Sequence, residues 1–168
     1  DADITVVLTA PADRERLVAE VAERSGGAID AIVAVAGLAL PIPATVGVNY
    51  VGMVATLEGL RPLLAGSPAP RAVGVASMAS LHPNDAELVD LLLAGDEPGA
   101  LARAEVLAAD PETTGALIYG STKAAFARWV RRNAARPEWA GAGIPLNAVA
   151  PGVIITPMTA AMVETAEQ

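Results

Sequence analysis

Tyr119 and Lys123 stand four positions apart in Tyr119-Gly120-Ser121-Thr122-Lys123, within a stretch whose pattern predicts a helix. Four residues make about one helical turn, so the phenol and the ammonium leave the same face. A free phenol titrates near pH 10 and is a poor proton acceptor at neutral pH. A cation fixed at roughly 4 Å in an effective dielectric of about 20 is worth about 4 kcal/mol to the phenolate, or about three pKa units. Such a pair can move a proton at pH 7. The same spacing on a solvated helix would do no chemistry, so the surrounding residues have to decide.

Composition narrows the choice of proton-transfer groups. The chain has no cysteine and one histidine, His82, so neither a thiolate metal site nor a histidine-based zinc centre or triad is expected, and no metal is assigned. Tyr, Lys, Asp and Glu remain. A net charge of -8 repels phosphate backbones, and no basic stripe interleaved with aromatics is present, so nucleic acid is not an expected partner. No apolar run approaches the roughly 18 residues that span a bilayer. A soluble, cytoplasmic protein is expected, and with 53% hydrophobic residues in 168 it has enough apolar surface for one domain with a substantial core.

Alternating elements position the pair. Ile4-Thr5-Val6-Val7-Leu8 reads as a strand, and Pro11 opens a helix with Leu17, Val18 and Val21 on its apolar side. The apolar run from Ala31 to Ala36, closed by Gly37, predicts a parallel strand covered on both faces. Residues 46–64 predict a helix with Asn49, Met53, Leu57 and Leu60 along one side. Residues 72–76 form the next strand, ended by Ser77, and residues 144–149 the last, ended by Pro151-Gly152. Residues 117–136 carry Tyr119, Lys123, Phe126 and Val130 on one helical face. This rhythm predicts an α/β doubly wound parallel sheet of Rossmann type. Between 80 and 116 it is interrupted by a helical pair, with Asn84 and Glu87 as a capping box and Pro98 near the start of the second helix.

In such sheets ligands bind beyond the carboxyl ends of the strands, which is where Gly37, Ser77 and Pro151-Gly152 fall. Together with Tyr119 and Lys123 they resemble the short-chain dehydrogenase/reductase family. Ala36-Gly37, Val48-Asn49-Tyr50-Val51-Gly52, Val75-Ala76-Ser77-Met78-Ala79-Ser80, Tyr119-Gly-Ser-Thr-Lys123 and Leu146-Asn147-Ala148-Val149-Ala150-Pro151-Gly152 with Thr156-Pro157 follow the family's order. The resemblance implies that Tyr119 is the general acid/base, with Lys123 lowering its pKa and bonding the ribose next to the nicotinamide. It makes Ser77 the holder of the substrate oxygen and Asn49 the residue that bends its helix and steadies a water beneath Lys123. On residue type alone, Ser77 would equally serve as a strand-end cap and Asn49 as a buried amide satisfied by backbone. Ala36, Gly37, Pro151, Gly152, Ile154 and Thr156 would receive the cofactor with Tyr119 and Lys123, while Ser80 and His82 would line the substrate pocket. The cofactor implied is NAD, with NADP not excluded.

The pattern also departs from the family. The glycine-rich phosphate turn after the first strand is missing, Val35 replaces the usual Asn, and Val7 stands where many members carry an adenine-binding Asp. A strand at residues 4–8 would have no neighbour and would leave its backbone groups unpaired. We therefore expect residues 1–168 to be a single, partial Rossmann-type domain excerpted from a longer enzyme. The helical insertion resembles the bacterial 3α-hydroxysteroid dehydrogenase/carbonyl reductase branch. The implied activity is interconversion of a secondary alcohol and a ketone on a small apolar substrate such as a steroid. A reductase of another carbonyl, such as a 3-oxoacyl thioester, and a cofactor-free relative acting as scaffold or partner subunit are the alternatives. A homo-oligomer is implied, through an interface altered by the inserted helices.

Overall fold

The computed structural model describes residues 2–154. Three parallel strands, β1 (Ala31–Ala34), β2 (Arg71–Val75) and β3 (Leu146–Val149), pair in the order β1-β2-β3. Ala34 faces Gly74, and Gly74 in turn faces Ala148, so the three strands end level. Level strand ends put Ala36-Gly37, Ser77 and Pro151-Gly152 on one edge, as expected for a Rossmann-type sheet.

The helices that pack on this sheet have clear sequence causes. Helix α1 (Pro11–Ser25) starts with proline in its first turn, where no amide donor is lost, and ends at Gly26 in the left-handed region (φ 67°). The predicted helix over 46–64 is present but segmented into α2 (Pro43–Val46), a π-helical stretch over Gly47–Gly52, α3 (Met53–Leu60) and a 3-10 stretch over Arg61–Gly66. Met53, Leu57 and Leu60 are buried, as their spacing predicts. Helix α6 (Leu117–Asn133) lays Phe126, which is fully buried, across β2. A Cβ on Gly74 would stand 2.3 Å from Phe126 Cζ and 3.3 Å from Met53 Sδ, so sheet and helices meet only because residue 74 has no side chain. Gly74→Ala is accordingly expected to cost about 2–3 kcal/mol by overpacking, read as a lower urea midpoint at unchanged slope.

Two expectations need correction. Residues 4–8 form no strand: they run from a bend at Ile4 through irregular chain into a turn at Leu8-Thr9, with no ladder partner among the described residues. Their β-branched composition favours a strand, but a strand needs a neighbour to take its hydrogen bonds. Leu8 and Thr9 lie instead on the π-helical stretch, where a Cβ on Gly52 would come within 2.7 Å of Leu8 Cβ and one on Gly47 within 2.8 Å of Thr9 Cγ2. The apolar run at 31–36 is also not covered on both faces. Ile32 and Ala34 are buried, whereas Val33 and Val35 are 64% and 62% exposed, so among the described residues only one face of this strand is covered.

The helical insertion is present as α4 (Ala86–Ala94) and α5 (Glu97–Ala108), with Pro98 in the first turn of α5. Its cap lies one residue later than the spacing predicts. Asp85, not Asn84, accepts the Leu88 amide N–H at 2.8 Å, while the Asn84 side-chain amide donates to the His82 carbonyl at 3.2 Å. Both residue types cap well, and the choice is made by tertiary partners of Asp85. Among the described residues no helix is long and apolar enough to cross a membrane.

Candidate active site

The carboxyl edge of the sheet opens into a cleft of about 220 Å³ lined by Gly37, Leu38, Ser77, Tyr119, Lys123, Pro151 and Gly152, among others. Each strand end contributes one wall, and α6 contributes the phenol and the ammonium. Helical spacing brings Lys123 Nζ over the Tyr119 ring, 5.7 Å from its centroid, so the charge faces the phenol as the sequence predicts. Tyr119 is half-buried, and Lys123 is 3% exposed.

The lysine's surroundings explain its electrostatics. Its Nζ donates to the Val75 carbonyl at 2.8 Å, the last residue of β2, and among the described residues no carboxylate pairs with it. Burial without a counter-charge pushes its pKa down to about 8. An ammonium has three donors, so two remain for acceptors placed in the cleft. The nearby backbone is bare: a Cβ on Gly37 would stand 3.5 Å from Asn49 Oδ1 and 3.9 Å from Lys123 Nζ. A side chain at 37 would therefore fill the space in front of the ammonium.

Asn49 is fully buried within the π-helical stretch. Its Oδ1 accepts the Leu38 N–H at 2.7 Å, and its Nδ2 donates to the Leu38 carbonyl at 2.8 Å and to Thr122 Oγ1 at 3.4 Å. The amide thus ties the loop after β1 to α6 one residue before Lys123. A π segment changes the phase of the helix at this point and presents Asn49 towards the loop. Thr122 Oγ1 also donates to the Tyr119 carbonyl at 2.8 Å.

Ser77 Oγ accepts the Ala79 N–H at 3.1 Å and caps the 3-10 turn Met78–Leu81, which leaves its hydroxyl proton available to an acceptor in the cleft it lines. The segment is tied to the neighbouring strand end by Met78 N–H to the Pro151 carbonyl at 2.9 Å. Ser80 is half-buried and lines an adjoining cavity with Met78, Arg128 and Gly152, while His82 is exposed and lines neither. Ala36 lies exposed just beyond β1, and Ile154 lies past Gly152, also exposed. Thr156 is outside the described residues. Sequence reasoning missed Leu38 and Val75, whose contributions are backbone atoms and carry no side-chain signal, and it missed Ser121, Asp85 and Arg103, which bond one another across 18 and 36 residues of sequence.

A level parallel sheet, a cleft at its carboxyl edge and the ordered Asn49, Ser77, Tyr119 and Lys123 give the chain the fold and the motif order of the short-chain dehydrogenases/reductases, and the proteins it is similar to have the same fold. Among individual proteins it is similar to the 3-alpha-hydroxysteroid dehydrogenase/carbonyl reductase of Comamonas testosteroni, at 35% identity over 166 residues, covering 94% of this chain and 62% of the relative. The crystal structure of the 3-alpha-hydroxysteroid dehydrogenase from Pseudomonas sp. B-0831 complexed with NADH matches at 40% identity and a TM-score of 0.82, over 96% of this chain and 63% of that one. Levodione reductase has the same fold at 19% identity and a TM-score of 0.66, over 98% of this chain and 55% of that one. No protein-family model matches. The chain thus spans less than two thirds of the length of these relatives.

Proposed function

We propose that this chain carries the proton-transfer part of an NAD(P)-dependent oxidoreductase that interconverts a secondary alcohol and a ketone, with a hydroxysteroid or a similarly apolar carbonyl as substrate. The observation that carries this reading is the convergence of Tyr119, Lys123 and Ser77 on one cleft, with the lysine buried, unpaired by any carboxylate among the described residues and left with two free donors. A nicotinamide cofactor, when bound, supplies or takes up the hydride. The cleft suits the nicotinamide-ribose end of a dinucleotide: Gly37 leaves the approach open, and the Lys123 ammonium offers donors of the kind ribose hydroxyls accept. Ala36, Gly37, Pro151, Gly152, Ile154 and Thr156 would complete that contact.

In the reductive direction the Tyr119 hydroxyl gives its proton to the carbonyl oxygen as that oxygen gains negative charge. The Ser77 hydroxyl donates a hydrogen bond to the same oxygen and fixes its position. In the oxidative direction the phenolate takes the alcohol proton back. Lys123 keeps a positive charge over the ring throughout, and Asn49 holds the Leu38 loop and Thr122 so that the lysine's position is set from two sides. Relatives named for 3-alpha-hydroxysteroids support the substrate class, and the NADH complex of one of them supports the cofactor. The test uses the full-length protein: titration with NADH and NADPH, followed by steady-state rates on a panel of 3-oxosteroids, aromatic ketones and 3-oxoacyl thioesters. Highest kcat/KM on the steroid is expected, and failure to bind either cofactor overturns the reading.

A further inference from the structure

The helical insertion is fastened to α6 within the turn that separates Tyr119 from Lys123. Ser121, fully buried, accepts the Asp85 amide N–H at 2.8 Å through its Oγ and donates to the Leu117 carbonyl at 2.8 Å. Asp85 caps α4 and also grips α5, for Arg103 Nε reaches its Oδ1 at 3.1 Å and the terminal nitrogen reaches Oδ2 at 2.7 Å. This is the two-pronged geometry that makes an arginine-carboxylate pair directional, and with side chains only 28% and 12% exposed it is shielded more than a surface pair. Arg103 Nε also meets Glu87 at 3.1 Å. Arg103 holds the Asp85 carboxyl below its ordinary range.

A second contact lies beside the first. A Cβ on Gly120 would stand 3.2 Å from the Pro83 carbonyl and 3.4 Å from the Ala79 carbonyl, so the loop that leaves Ser77 rests on α6 immediately next to Tyr119. That loop is held by β2 and Pro151 at its start and by Asp85 at its end. Resting on the oxidoreductase reading above, we propose that Asp85 and Arg103 are a positioning pair: by clamping the far end of the Ser77 loop to Ser121, they set the alignment of the Ser77 hydroxyl with Tyr119. Neither residue reaches the cleft, so their effect passes through geometry. A misplacement of about 1 Å at a reacting centre is enough to cost up to about a hundredfold in rate.

The experiment measures kcat, ketone KM and the NADH dissociation constant of full-length Arg103→Met, Arg103→Lys and Ser121→Ala, each normalised to the concentration of cofactor-binding sites. Arg103→Met is expected to lose about tenfold in kcat with NADH affinity within about twofold of wild type, because the lysine end of the cleft is untouched. Arg103→Lys should recover only part of the loss, since an ammonium cannot engage both carboxylate oxygens in one plane. Ser121→Ala, which leaves the ion pair in place, should lose about threefold in the same parameter and provides the test if Arg103→Met does not fold. A purely structural role would reduce the number of cofactor-binding sites and leave kcat per site unchanged, and that result overturns the proposal. An inactive wild type refutes the oxidoreductase reading itself, whereas an active wild type with unaffected variants refutes the positioning role alone.

Discussion

Tyr119→Phe in the full-length protein is expected to lower kcat by at least about a hundredfold, and by as much as about ten-thousandfold, while the NADH dissociation constant stays within about twofold. The substitution deletes one oxygen and its proton. The ring that faces Lys123 Nζ at 5.7 Å remains, as do the Gly37 opening and the backbone of α6. On the proposed mechanism the cofactor contacts at the lysine end of the cleft are therefore kept, and only the group assigned to exchange a proton with the substrate oxygen is lost. The comparison to make is between kcat and the dissociation constant, because a collapse of the cleft would move both. A variant that kept more than about a tenth of wild-type turnover would mean that another acid serves the substrate oxygen, the Lys123 ammonium being the other titratable proton donor that lines the cleft.

What the sequence discloses and what it conceals follow a physical line. Tyr119, Lys123 and Ser77 are legible because a helical turn and a strand end are local features, set by residues close in the chain. The π-helical stretch at Gly47–Gly52 is not legible, because it is stabilised from outside, by the close approach of Leu8 and Thr9 to two glycines. The same approach explains why residues 4–8 do not form the strand that their composition favours: the segment is taken up by packing where no ladder is available. Asn84 and Asp85 are adjacent and equally competent caps, and the choice falls to Arg103 and Ser121, 18 and 36 residues away in sequence. Pairings at such separations leave no periodicity to read. The alternation of buried and exposed positions along β1, where an unbroken apolar run predicts two covered faces, belongs to the same class: composition states what a strand could bury, and only the neighbouring elements determine what it does bury.

Lys123→Met should abolish turnover and at the same time make the fold more stable at neutral pH. The ammonium sits 3% exposed with one carbonyl partner among the described residues, and burial pulls its pKa down to about 8, against about 10.4 in an unfolded chain. Between those values the unfolded state binds a proton that the folded state does not, so stability falls as pH drops from about 10.4 to about 8 and stays at the lower level below that. A shift of that size corresponds to about 3 kcal/mol, and replacing the donor to Val75 with a thioether returns about 1 kcal/mol of it. The variant should therefore exceed wild type by about 2 kcal/mol in urea unfolding at pH 7, with the gap closing as pH rises and changing sign at about pH 9.7. NADH affinity should fall in the same variant, because the two remaining ammonium donors are lost. Equal stabilities of variant and wild type at pH 7, or a difference that does not move with pH, would mean that the lysine is compensated by a group outside the described residues. The expected result instead marks Lys123 as a position where a buried ammonium with one carbonyl partner lowers stability, the form that a trade between stability and the proposed activity takes.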